Sequence, residues 1–186
     1  MSLPFRFNEL TVRFANVRAW AEKAVGPGTN RCAICMGYTL QIAPSAEDGS
    51  VAALPGVEAS VTAAGPIKAG PTPRPAVGGG PGTPYGGYFF IRAAELMPRV
   101  LRAYGPPDVQ GRADQVWPRV MGQKGVIYLE NCYQTDGDKR LSAIPWLYQP
   151  SSGDHWDLFD GFALVAEKIS ISGNTHKATL NFWRAL

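Results

Sequence analysis

Charge, histidine and long apolar runs are all scarce in this chain. Charged residues make up 18% of 186, below the usual quarter, and eighteen Lys and Arg against fifteen Asp and Glu leave a net charge of +3. A charge so small, spread along the sequence, gives nucleic-acid binding no compositional support. Two histidines exclude a His-rich metal cluster. No stretch reaches the roughly 18 consecutive apolar residues of a membrane span, so membrane insertion is not expected. Met1 to Leu10 carries Arg6, Asn8 and Glu9 and has no apolar h-region, so it does not read as a secretory signal. The expectation is a chain made in the cytoplasm that needs a dedicated machine to act elsewhere. Three cysteines cannot all pair within one chain.

Hydrophobic residues, in contrast, make up 45%, enough for the core of one compact domain spanning 1–186. Glycine (21) and proline (16) are in excess, which argues for long turns or an insertion rather than a bundle of long helices. Most of that excess is local. Eighteen of the 44 residues from 44 to 87 are Gly or Pro, so this segment reads as an insertion, either a surface loop or a flap that shapes a cleft.

Around the insertion, periodicity returns. Leu10, Phe14, Val17 and Ala21 recur at helical spacing and predict a helix over 8–24, with Asn8 as its N-cap and Gly26-Pro27-Gly28 as its stop. A second helix is expected from Arg31 with Asn30 as N-cap. Cys32, Ala33, Ile34, Met36, Leu40 and Ile42 give it a broad apolar surface, so it should be buried. Tyr88 to Ile91 reads as a short strand. Ala93 to Tyr104 reads as a helix that starts late or bends at Pro98 and stops at Gly105-Pro106-Pro107. A single helical turn is expected over 114–122, a strand over Gly125 to Leu129, and a polar stretch over 131–153 with an apolar patch at Ile144 to Tyr148. His155 to Phe159 and Phe162 to Ala166, joined by Asp160-Gly161, read as a hairpin, with further strands at Ile169 to Ile171 and Ala178 to Trp183. Helices first and antiparallel strands after them predict an α+β fold.

Chemistry centres on Cys32. In the first turn of a helix, a thiol meets unpaired backbone N–H groups and the positive end of the helix dipole, which favour the thiolate nucleophile and a developing oxyanion. The competing reading is a small apolar cysteine filling a core. His155 opens a strand, and alternation puts it on one face with Asp157 and Phe159. Asp157 could orient the imidazole; so could a residue across the hairpin, near Ala166 or Glu167. His176, in a polar stretch, reads as a turn residue. Cys32-Ala-Ile-Cys35 also permits a thiol-redox pair, and Cys32, Cys35, Cys132 and His155 complete the count of a Cys₃His zinc site.

Phe7-Asn-Glu-Leu10 and Thr29-Asn-Arg-Cys-Ala-Ile-Cys-Met36 resemble the opening of amidase effector family 4 of type VI secretion, which has an Asn-(x)-Cys-Ala-(Ile/Val)-Arg-Met-Ser-like motif around its nucleophile. Tyr88-Phe-Phe-Ile-Arg-Ala-Ala-Glu-Leu96 with its Gly-Pro-Pro-Asp108 turn, Gly125-Val-Ile-Tyr128 and His155-Trp-Asp-Leu-Phe159 are similar to that family's later blocks, in the same order. Cys35 stands where the family has Arg, Asp154 where it tends to have Gly, and Phe159 where it has Trp. The resemblance implies a papain-like, NlpC/P60-type cysteine amidase without a cofactor. Cys32 would be the nucleophile and His155 the general base, and the acidic third residue would be Asp157, Asp160 or Glu167. The implied substrate is the peptidoglycan stem peptide, cut between D-glutamate and meso-diaminopimelate. The implied setting is delivery by a type VI secretion apparatus into a rival's periplasm, with a cognate immunity protein as inhibitor. A non-enzymatic binding or structural domain, or a redox or zinc protein, is the alternative.

Overall fold

The computed structural model describes residues 2–24, 31–42, 90, 93–133, 153–166 and 178–186. Among them run, in order, α1 (Phe7–Ala24), α2 (Cys32–Thr39), α3 (Ala93–Tyr104), β1 (Val109–Arg112), α4 (Ala113–Val120), β2 (Gly125–Tyr133), β3 (Gly153–Phe159) and β4 (Thr179–Arg184). Several expectations fall outside the described residues: the helix stop at Gly26-Pro27-Gly28, the insertion, the patch at Ile144 to Tyr148, Glu167, the strand at Ile169 to Ile171, and His176. Of the strand expected at Tyr88 to Ile91, only Phe90 is described; it forms a single β-bridge and is buried. The chain divides into two compact units, Phe5–Gly105 and Met1–Pro4 with Pro106–Leu186.

In the helical unit, α1 packs on α2 and α2 on α3. Leu10, Phe14, Val17 and Ala21 are all buried, as their spacing requires. The helix starts one residue earlier than expected and Asn8 is not its cap. The Glu9 carboxylate reaches back to accept the Arg6 N–H at 3.2 Å, and the Arg6 carbonyl takes the first helical bond, from Leu10 N–H at 3.2 Å. This is the acidic half of a capping box, which fixes the start of the helix at Phe7.

All eight residues of α2 are buried. Its N-cap is Arg31 rather than the Asn30 expected, and Cys32, one residue later than expected, is its first helical residue. The helix is shorter than its apolar pattern. Gln41 takes a left-handed φ of 58°, its N–H bonds the Tyr38 carbonyl at 3.1 Å, and Ile42 N–H bonds the Gly37 carbonyl at 2.9 Å. That is a Schellman ending without glycine, and Leu40 and Ile42 are buried beyond the last turn rather than within it. The Tyr104 hydroxyl, at the end of α3, donates to the Leu40 carbonyl. α3 begins at Ala93, not late, and runs through Pro98 to Gly105, whose φ of 77° closes it as expected.

The second unit is built on a four-stranded antiparallel sheet of order β1-β4-β2-β3. β1 has one apolar residue in four and no sequence signal; it is held by its ladder to β4. α4 has two turns where one was expected, because Ala113, Val116 and Val120 give it a continuous buried stripe. That stripe packs on Ile127, Phe159, Leu180 and Phe182. Cross-strand register puts Leu129, His155 and Asp157 on this same face. The opposite face carries Tyr128, Trp156 and Trp183 in a continuous stack, with centroids 4.5 and 5.7 Å apart.

The hairpin after β3 differs from the two-residue turn expected. Phe159 bridges Leu164, and no strand forms over Phe162 to Ala166. The Asp160 carboxylate accepts both Phe162 and Ala163 N–H at 2.8 Å, which stabilises a four-residue turn. Residue 166 therefore comes opposite Asp157 rather than His155.

Gly125 leaves no room for a side chain. A Cβ there would lie 2.1 Å from the Trp183 carbonyl oxygen and 2.9 Å from the Phe182 ring. Gly125→Ala is expected to cost about 2 kcal/mol or more, because backbone on the central strand must move. A drop in the urea midpoint of the purified protein checks it.

Candidate active site

His155 and Asp157 are brought together by strand alternation alone. His155 Nε2 lies 3.5 Å from Asp157 Oδ2, and both residues are buried. A buried carboxylate is costly unless it is hydrogen-bonded or paired. Asp157 meets that demand with backbone donors. Its Oδ1 accepts Leu158 N–H at 2.7 Å and Ala166 N–H at 3.0 Å, and its Oδ2 shares the latter at 3.2 Å. The carboxylate is therefore immobile, and the imidazole beside it is oriented through Nε2.

Of the other acidic candidates, Asp160 is committed to its own turn. Its two backbone N–H donors hold its carboxyl below the ordinary range, and it stands in the turn beyond the end of β3. Glu167 lies outside the described residues.

Cys32 belongs to the helical unit. It stands where the expectation put it, at the start of a buried helix, and is 8% exposed. The ladder of α2 opens with Cys35 N–H to the Arg31 carbonyl at 2.9 Å. The N–H groups of Ala33 and Ile34 thus precede the first bond within the helix, which is the geometry that favours an anion. None of the three cysteines forms a disulfide. Among the described residues, which include Cys32, Cys35, Cys132 and His155, no group of three His, Cys, Asp or Glu is arranged to hold a metal ion.

Sequence reasoning missed the donors that hold Asp157. The signal was available: an Asp between Trp156 and Leu158 in an apolar strand must be buried, and a buried carboxylate needs N–H partners. It also missed the partners of Asp154, whose Oδ2 accepts the Tyr128 hydroxyl at 2.8 Å and whose Oδ1 accepts Asn131 N–H at 2.9 Å. Burial, and then the bond to Asp154, push the Tyr128 hydroxyl far above its ordinary value near 10. The folded state therefore keeps a proton that the unfolded chain loses. This contribution to stability is complete below about pH 10 and is lost as pH rises beyond it. Tyr128→Phe is expected to lower stability by about 1 kcal/mol at pH 8 and to lose less than the wild type between pH 8 and 11. Urea unfolding at the two pH values reads the difference.

No protein-family model and no curated protein matches the chain. Solved structures do. The type VI effector Tae4 from Enterobacter cloacae aligns with a TM-score of 0.59 at 14% identity, covering 100% of this chain and 99% of that one. The chain shares the fold of the Tae4 effectors. The Salmonella Typhimurium Tae4–Tai4 effector–immunity complex aligns at TM-score 0.56 and 14% identity, over 97% of this chain and 98% of the other. Salmonella typhimurium Tae4 bound to the immunity protein Tai4 of Enterobacter cloacae gives 0.54 and 13%, over 97% and 99%. The Tae4 likeness is thus one of fold over nearly the whole of both chains. No helix among the described residues is long and apolar enough to cross a membrane.

Proposed function

We propose that residues 1–186 act as a single papain-like cysteine amidase domain of the NlpC/P60 kind, an antibacterial type VI effector that cuts peptidoglycan stem peptides between D-glutamate and meso-diaminopimelate. The observation that carries this is the buried His155–Asp157 contact, in a chain whose fold is that of the Tae4 effectors and whose Cys32 opens a helix. His155 takes the Cys32 proton, and the thiolate attacks the amide carbonyl carbon. N–H groups at the start of α2 stabilise the tetrahedral oxyanion. The C–N bond breaks as His155 gives its proton to the leaving diaminopimelate amine. Water, deprotonated by His155, then hydrolyses the thioester, releasing the glutamate carboxylate and restoring the thiol. Asp157 orients the imidazole throughout and stabilises its charged form.

The apparatus that would deliver the chain to a target periplasm, and the immunity protein that would block it there, follow from the same assignment. The Tae4 structures in complex with Tai4 support an immunity partner. The direct test is digestion of purified Gram-negative sacculi followed by mass spectrometry. Soluble fragments ending in D-glutamate, matched by new free amines on diaminopimelate, are expected. Sacculi left intact, or cut only at glycosidic or other peptide bonds, would refute the proposal.

A further inference from the structure

Asp154, next before His155, is engaged on the opposite face of β3. Pairing of β2 with β3 is regular from Gly125↔Phe159 to Leu129↔His155 and then shifts, the next pair being Tyr133↔Gly153. Four steps along β2 thus answer to two along β3, directly beside the histidine. Such a bulge breaks the ladder between β2 and β3 and leaves its extra residues without in-register partners on β3. Asn131, inside it, takes a φ of 56°. A side chain closes the gap. Asp154 Oδ1 accepts Asn131 N–H at 2.9 Å, and Asp154 Oδ2 accepts the Tyr128 hydroxyl at 2.8 Å. Tyr128 is in turn fixed against Trp156, 4.5 Å away. One carboxylate so ties the residue before the histidine to both sides of the bulge. His155 is suspended between two anchored acids on opposite faces of its strand: Asp154 through Tyr128 and Asn131, and Asp157 through Leu158 and Ala166.

We infer that Asp154 is a positioning residue for His155: by bridging the Tyr128 hydroxyl and the Asn131 N–H, it holds the stretch of backbone from which the imidazole projects. The inference rests on the amidase proposal, in which that imidazole is the general base. Displacing a reacting group by about 1 Å can cost about a hundredfold in rate, so a loosened bulge acts on turnover more than on substrate binding. A purely structural Asp154 would instead lower stability and leave the imidazole where it is.

The test uses the full chain and two readouts. With only two histidines in the sequence, the imidazole NMR signals of His155 are assigned by their loss in His155→Gln. In Asp154→Ala, kcat on peptidoglycan is expected to fall about tenfold or more with KM within about twofold, and the His155 signals should shift or broaden. Asp154→Asn keeps an oxygen for the Asn131 N–H; it should return kcat to within about threefold and restore the signals. A kcat for Asp154→Ala within about twofold of wild type overturns the inference, and so does a loss of kcat with unmoved His155 signals. If wild type leaves sacculi intact while the imidazole signals move in Asp154→Ala, the amidase proposal falls and the positioning contact stands. Should Asp154→Ala not fold, Tyr128→Phe, which removes only the hydroxyl bond, decides by the same signals.

Discussion

Cys32→Ala should leave sacculi undigested, with turnover down by about a thousandfold or more, while the fold survives. The size of the effect follows from covalent catalysis. In the proposed mechanism no acyl-enzyme forms without the sulfur, and His155 has no nucleophile to activate. Helix-start N–H groups and substrate binding remain, so residual rate is that of a site that polarises the amide without attacking it. Survival of the fold follows from the position. The substitution removes one atom from the first residue of α2, at a site that retains some exposure, and alanine favours the helix. The urea midpoint should therefore stay near that of wild type. Cys35→Ala and Cys132→Ala, also at buried sites, should retain cleavage. Wild-type digestion by Cys32→Ala would remove Cys32 from the mechanism, and loss of cleavage in Cys132→Ala with an intact Cys32 would relocate the nucleophile.

For stability, the largest single loss is expected at Trp156. Its ring is fully buried between Tyr128 and Trp183, stacked on both at interplanar angles of 23° and 25°. Trp156→Ala removes the middle of that stack and leaves a cavity on the sheet face, for a cost of about 3–5 kcal/mol. That is a large share of the stability of a typical domain. Trp156→Phe keeps an aromatic plane in contact with Tyr128 and should recover more than half. Urea midpoints of the three proteins check the order. Equal midpoints for Trp156→Ala and wild type would mean that the stack contributes nothing.

What could be read from the residues divides along physical lines. Burial of α1 and α2 was legible because Leu10, Phe14, Val17 and Ala21, and the run from Cys32, repeat at a period that only one structure satisfies. His155 and Asp157 on one face was legible for the same reason, with period two. Helix ends were less so. Glu9 outcompeted Asn8 for the start of α1, and Gln41 adopted a conformation that glycine more often supplies. β1 was invisible, since Val-Gln-Gly-Arg carries no pattern and exists as a strand through β4. The acceptor capacity of Asp160 lengthened the turn by two residues. That moved Ala166 opposite Asp157, so the hairpin partner expected near His155 instead serves its neighbour. The Tyr128–Asp154–Asn131 contacts depend on a bulge with no local signature.

β4, which follows all the other elements in the chain, lies inside the sheet rather than at its edge, between β1 and β2. Zipping up this unit therefore has to await synthesis of Thr179–Arg184. Until then β1 has nobody to pair with, since β4 is its sole neighbour among the described residues, and the histidine strand rests on a two-stranded fragment. Such long-range closure is slow. A stop between Phe159 and Thr179 would leave β2 paired with β3 but β1 without its ladder, so the four-stranded sheet would not be completed.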